Sequence, residues 1–92
     1  MITRRLSIVG RVQGVGYRDA LCEEAQRRGV AGWVRNRTNG SVEALLQGPT
    51  DRVAELIAWA RRGPPASRVD DVRVEARDDE PALTGFERRP TA

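Results

Sequence analysis

The spacing of glycine and proline is the tightest constraint on what this sequence can become. Gly14 and Gly16, Gly29, Asn39-Gly40, Gly48-Pro49 and Gly63-Pro64-Pro65 cut the 92 residues into short segments, each long enough for one strand or one short helix. Between the breaks the hydrophobic period changes. Arg4 to Arg11 alternates, with Leu6 and Ile8 on one face and Ser7 and Val9 on the other, which predicts a strand. Val12 to Tyr17 reads as a loop. Arg18 to Arg28 carries Leu21, Cys22 and Ala25 at helical spacing, and Gly29 follows Arg27 and Arg28 as a terminator. Val30 to Asn36 reads as a second strand, Asn39-Gly40 as a tight hairpin turn, and Ser41 to Gln47 as the partner strand. Thr50 or Asp51 is expected to cap a helix with Val53, Leu56, Ile57 and Ala60 on one face, stopped at Gly63. Arg68 to Arg77 alternates again. Val69 is out of phase with Val72, so a bulge or the strand's start falls between them. Asp78 to Pro81 reads as a solvated acidic loop, Gly85 to Arg89 as a possible short fifth strand, and Pro90 to Ala92 as a frayed end.

The order β-α-β-β-α-β is the split βαβ, ferredoxin-like pattern of the α+β class, an antiparallel sheet with two helices on one face. Residues 1–92 make one domain at this length, with a core of limited size. The fold alone hosts many unrelated activities. Composition removes several of them. There is no histidine, and Cys22 is the single cysteine, so histidine metal sites, Ser-His or Cys-His catalysis and an internal disulfide are excluded. No run approaches the length of a membrane span, and the basic start is too short and broken for a signal peptide. Cytoplasmic placement is expected. All of the basic residues are arginine, with acidic residues interspersed, and the net charge is +3. That pattern reads mostly as solvated faces.

Two stretches carry chemistry. Gly10-Arg-Val-Gln-Gly14-Val-Gly16-Tyr17-Arg18 leaves a strand and opens a helix. The first turn of a helix has N–H groups without partners and a partial positive charge, and glycine lets backbone approach a ligand, so an anion cradle fits here. The stretch is neither a Walker A loop nor a dinucleotide fingerprint. Arg18 near the helix N-terminus opposes the macrodipole, whereas Asp19 conforms to it. A bound phosphate would remove that conflict; the plain alternative is a solvated arginine. The second stretch is Gly32-Trp33-Val34-Arg35-Asn36-Arg37-Thr38-Asn39-Gly40-Ser41-Val42-Glu43. Asn36 stands before the hairpin, and its amide can accept from water and donate to an oxyanion. Alone, it would read as an ordinary turn asparagine.

Together these stretches resemble the acylphosphatase family. Its Gly-x-Val-Gln-Gly-Val-x-Phe-Arg signature appears as Gly10 to Arg18, with Tyr17 in the Phe place. Its Gly-Trp-Val-x-Asn-x-x-Asp-Gly-x-Val-Glu signature appears as Gly32 to Glu43, with Asn39 in the Asp place. The likeness continues through Leu46-Gln47-Gly48-Pro49, Trp59 and Gly63 to Val69, and so covers nearly the whole chain. The resemblance implies that Arg18 and Asn36 are the essential arginine and asparagine. It also implies that N–H groups of Gln13, Gly14, Val15, Gly16, Tyr17 and Arg18 hold the phosphoryl oxygens. The implied reaction is metal-independent, cofactor-free hydrolysis of a small acyl phosphate, with inorganic phosphate or another anion able to occupy the site.

Competing readings are weaker. Cys22 and Arg28 have the spacing of a cysteine-dependent phosphatase, but the residues between them read as helix and two carboxylates adjoin the thiol. A phosphate- or nucleic-acid-binding module of the same fold is the main alternative. RNA-recognition domains place stacked aromatics on central strands; besides Trp33, the aromatics here are Tyr17 in the loop, Trp59 on a helix and Phe86 near the end, so neither nucleic acid nor membrane is an expected partner. Trp33 and Trp59 read as packing residues. A monomer is expected, because no extended apolar surface stretch stands out.

Overall fold

The computed structural model describes residues 1–92. In chain order the elements are β1 (Ile2–Arg11), α1 (Tyr17–Arg27), β2 (Ala31–Asn36), β3 (Val42–Gly48), α2 (Thr50–Arg62), β4 (Arg68–Ala76) and β5 (Phe86–Arg89). β3 lies between β1 and β2 and pairs antiparallel with both, so Ala44 faces Leu6 on one side and Val34 on the other. β4 joins β1 antiparallel, and β5 joins β2 in parallel, giving the order β4-β1-β3-β2-β5. The sheet is therefore mixed: the ferredoxin-like pattern holds, and the fifth strand adds one parallel pair at its edge.

Alternation places Leu6, Ile8, Val34, Val42, Ala44 and Leu46 on the face that both helices cover, where they meet Leu21, Ala25, Val53 and Leu56 in one buried cluster. α1 lies over β2 and β5, and α2 lies over β4 and β1. Each such leucine or valine contributes about 1.5–3 kcal/mol by leaving water, so this face supplies most of the stability. No helix is long and apolar enough to cross a membrane.

Local chemistry explains the ends. α1 closes in a Schellman motif: the Val30 N–H donates to the Ala25 carbonyl at 3.0 Å and the Gly29 N–H to the Gln26 carbonyl at 3.2 Å. α2 departs from the expected cap. Pro49 holds the cap position with no side-chain bond, and Thr50 and Asp51 already lie in the first turn, where Asp51 answers the helix dipole. The bulge expected between Val69 and Val72 is present: Val9 faces Asp71 and Gly10 faces Val69, leaving Asp70 unmatched.

The β2–β3 hairpin is longer than a two-residue turn. The Gly40 N–H donates to the Arg37 carbonyl at 3.1 Å, and the Arg37 N–H to the Ser41 carbonyl at 2.8 Å. Gly40 alone takes a positive φ, 92°. Asn39 contributes its side chain instead, accepting from the Ser41 N–H at 3.0 Å and hydroxyl at 2.6 Å.

The acidic loop is exposed as expected, yet it and the chain end make specific contacts. Asp78 accepts from the Thr3 N–H at 3.0 Å and pairs with Arg4, and the Thr3 hydrogen bond holds its carboxyl below the usual range. The end of the chain, expected to fray, is hydrogen-bonded to the hairpin. The Ala92 N–H donates to the Asn36 carbonyl at 3.1 Å, and the Ala92 oxygen accepts from the Thr38 N–H at 3.2 Å and Arg37 Nε at 3.0 Å. These contacts join residues far apart in sequence, so local composition gives no sign of them.

Candidate active site

β1 delivers the chain to a tight loop, residues 12–16, which α1 continues. Gly14 and Gly16 take φ of 73° and 78°, the left-handed region that favours glycine, and an added Cβ at either would meet no other atom within 4 Å. Their requirement is therefore conformational rather than steric. Gly16 is also the N-cap of α1 and provides no side-chain cap. The first intrahelical bond is Ala20 N–H to the Gly16 carbonyl at 3.0 Å. The N–H groups of Gln13, Gly14, Val15 and Gly16 have no protein acceptor, and those of Tyr17, Arg18 and Asp19 precede the first helical bond. A run of unmet donors at a helix N-terminus is a standing attraction for an anion.

A cleft of about 160 Å³ opens on this loop, lined by Val12, Gln13, Gly14, Gly16, Tyr17, Arg18, Asp19 and Asn36. The two sequence stretches thus meet in space. Arg18 comes from the first turn of α1, and Asn36 from the last residue of β2. Val15 is not among the lining residues. Its side chain packs against the core instead, so any contact with a ligand would come through its main chain.

Each site group has an identifiable support. Arg18 donates through NH1 to the Arg89 carbonyl of β5 at 3.1 Å. A neutral carbonyl orients the guanidinium without neutralising it, so its charge remains available to a ligand. Asn36 Oδ1 is buried and has no hydrogen-bond partner. An unmet buried acceptor costs roughly 1–3 kcal/mol, and no structural hydrogen bond accounts for the placement of this amide. The Gln13 side chain is not directed at a ligand. Its Nε2 donates to the Arg37 and Ser41 carbonyls, each at 2.8 Å, pinning the loop to the hairpin beside Asn36.

Tyr17 answers the question posed by an aromatic with a hydroxyl. The ring is buried and tilted against Trp59 at 5.6 Å, and the hydroxyl donates to the Ala60 carbonyl at 2.7 Å. That carbonyl would normally accept from the residue four positions on, which is Pro64 and has no N–H. Tyr17 therefore completes the end of α2 while anchoring the start of α1. Burial pushes its hydroxyl well above the usual tyrosine range, so it stays a donor.

Asp19 brings a negative charge to the cleft edge, where it would repel an anion. Arg88 of β5 pairs with it. Sequence reasoning missed Arg88 and the Arg89 carbonyl, because the tail looked weakly held. The pairing of β5 with β2 is the cause, and only the single buried Phe86 hinted at it. Cys22 lies elsewhere, between α1 and β5 near the Phe86 carbonyl. Burial pushes its thiol up, with Arg88 opposing, which disfavours a nucleophilic thiolate. No three Cys, Asp or Glu side chains gather as metal ligands.

Fold and cleft together describe an α+β domain offering main-chain donors and one unneutralised guanidinium to a small tetrahedral anion, with the Asn36 amide beside them. The acylphosphatase family model matches residues 4–88. An acylphosphatase from Thiobacillus denitrificans is 52% identical over 89 residues, covering 97% of this chain and 98% of its own length. One from Thermococcus kodakarensis is 50% identical over 86 residues, covering 92% of each. The crystal structure of acylphosphatase from Bacillus subtilis superposes with a TM-score of 0.93 at 36% identity, covering 97% of this chain and 99% of that one. The chain belongs to the acylphosphatase family.

Proposed function

We propose that this protein is an acylphosphatase that hydrolyses acyl phosphates to a carboxylate and inorganic phosphate, with Arg18 and the loop of residues 13–18 holding the phosphoryl group and Asn36 positioning the water. The observation that carries the division of roles is that Asn36, whose amide makes no hydrogen bond within the protein, lines the same cleft as Arg18 and the free loop N–H groups. An acyl phosphate already has a good leaving group, so the protein has to position and stabilise rather than supply a strong acid. Main-chain N–H groups and Arg18 offset the negative charge on the non-bridging oxygens. Asn36 Oδ1 accepts a hydrogen bond from the water and aligns its oxygen with phosphorus.

As the water oxygen bonds to phosphorus, the bond from phosphorus to the acyl oxygen breaks. The carboxylate leaves without a proton, and both water protons end on phosphate. No side-chain base stands in the cleft besides Asp19, which Arg88 engages, so a phosphoryl oxygen of the substrate takes the proton. This reading needs neither a metal nor a cofactor, treats the enzyme as a cytoplasmic monomer, and makes the small acyl phosphate its only partner. Favouring a small molecule over nucleic acid, the central strands β1 and β3 carry no aromatic side chain for bases to stack on.

The test is hydrolysis of benzoyl phosphate with a chelator present, in water enriched in heavy oxygen. The expected result is turnover with the label in phosphate. Label in benzoate would place the attack at the acyl carbon and refute the assigned geometry. A folded protein that binds phosphate without turnover would be a binding module.

A further inference from the structure

On the sheet face opposite the helices, a single carboxylate is buried where none is needed for the core. Glu43, in the central strand β3, is 5% exposed. Three guanidiniums surround it. Its Oε2 accepts from Arg5, with Nε and NH2 each at 2.7 Å. Its Oε1 accepts from Arg35 Nε at 2.7 Å and Arg37 NH1 at 3.1 Å. Burial alone would push the Glu43 carboxyl up, but the bonds from Arg35, Arg5 and Arg37 outweigh it and hold the group below the usual carboxylate range.

The two arginines on Oε1 are the residues immediately before and after Asn36. Side chains alternate along a strand, so Arg35 takes the open face while Asn36 lines the cleft. Arg35 is held again by Trp33, whose ring lies 4.8 Å from its guanidinium. Arg37 is held again by the Ala92 oxygen, and its carbonyl receives Gln13 from the cradle loop. One carboxylate oxygen therefore fixes the main chain on both sides of Asn36, at a strand end where a hairpin begins and pairing alone would allow fraying.

We infer that Glu43 is a positioning residue: through Arg35 and Arg37 it sets the direction in which Asn36 presents its amide to the attacking water. The inference rests on the role proposed above for Asn36. Glu43 lies on the opposite face and touches no substrate, so its removal should spare phosphate binding and reduce turnover. A misplacement of catalytic groups by a fraction of an ångström to one ångström is enough to cost roughly tenfold or more in rate.

The experiment measures kcat on benzoyl phosphate and competitive inhibition by inorganic phosphate in wild type, Glu43→Gln, Asn36→Ala and the double variant, with folding checked by circular dichroism. Glu43→Gln is expected to lower kcat about tenfold, leave the phosphate inhibition constant within twofold, and add nothing in the Asn36→Ala background. Arg5→Gln removes the ligand of Oε2, which has no link to Asn36, and should keep the wild-type kcat. If Glu43→Gln does not fold, Arg35→Gln carries the same expectation, because it removes one tether only. An equal loss with and without Asn36, or an equal loss in Arg5→Gln and Arg35→Gln, would show a merely structural role and overturn the inference. Full turnover in Asn36→Ala would remove the reading on which it rests, whereas loss there with full turnover in Glu43→Gln would remove the Glu43 role alone.

Discussion

The glycine loop of residues 12–18 and the C-terminal segment serve the same cleft by opposite means. Residues 12–18 offer their own main chain, and the means is written locally as Gly14, Gly16 and a helix start. Residues 86–92 act by holding others: the Arg89 carbonyl on Arg18, Arg88 on Asp19, and Ala92 on Asn36, Thr38 and Arg37. A main-chain carbonyl is the same in every residue, so support of this kind leaves no mark in the sequence. The comparison teaches that the cradle is recognisable from its own residues, whereas what keeps it in place has to be read from the sheet.

The largest expected effect breaks the cradle side. Arg18→Ala removes the one unneutralised charge and should lower kcat/KM on benzoyl phosphate by about 10³-fold, with most of the loss in the chemical step. Such a variant within tenfold of wild type would mean that the loop N–H groups suffice alone.

Next comes the seam between loop and hairpin. Gln13→Ala removes one of the two donors from each of the Arg37 and Ser41 carbonyls, which keep their main-chain partners, costing roughly 0.5–1.5 kcal/mol of stability and raising KM several-fold. Denaturant unfolding and initial rates together check this. On the supporting side, deleting Ala92 removes its bonds to Asn36, Thr38 and Arg37. A loss of about 1 kcal/mol would lower the melting temperature by about 4–8 °C in a domain of this size. An unchanged melting temperature would return the tail to the frayed state that composition suggests.

Much of the plan was readable beforehand because it follows from short-range rules. Alternation marked β1, β3 and β4, helical spacing marked α1 and α2, and the Val69 to Val72 phase change marked the bulge. Arg18 and Asn36 stood out as a dipole conflict and a strand-end amide within two signatures, and both line the cleft. Less readable were features made by distant partners. The Gln13 side chain spans to the hairpin. Asp78 is exposed, as expected of a solvated loop, but its bond from the Thr3 N–H is made across the fold. Nothing local reveals that Arg5, Arg35 and Arg37 converge on Glu43.

Acid should expose that convergence. The Glu43 carboxyl is lowered in the folded protein from an ordinary value near 4.5. Its contribution is therefore present above that value and lost as pH falls through the folded one. Thermal unfolding followed downward from neutral pH should show wild type losing stability more steeply than Glu43→Gln, and parallel curves would deny the arginine cluster its role. The smallest expected effect on activity is Tyr17→Phe. It leaves the Ala60 carbonyl without its donor, costing about 1 kcal/mol by denaturant unfolding, with kcat within about twofold.

The account's central claim is that phosphate holding and water placement belong to different residues of one cleft. Asn36→Ala, assayed for benzoyl phosphate turnover alongside calorimetric binding of inorganic phosphate, tests it most directly. The predicted result is a kcat lower by about 10²-fold with phosphate affinity unchanged. Turnover at the wild-type rate, or loss of phosphate binding in step with turnover, would contradict it.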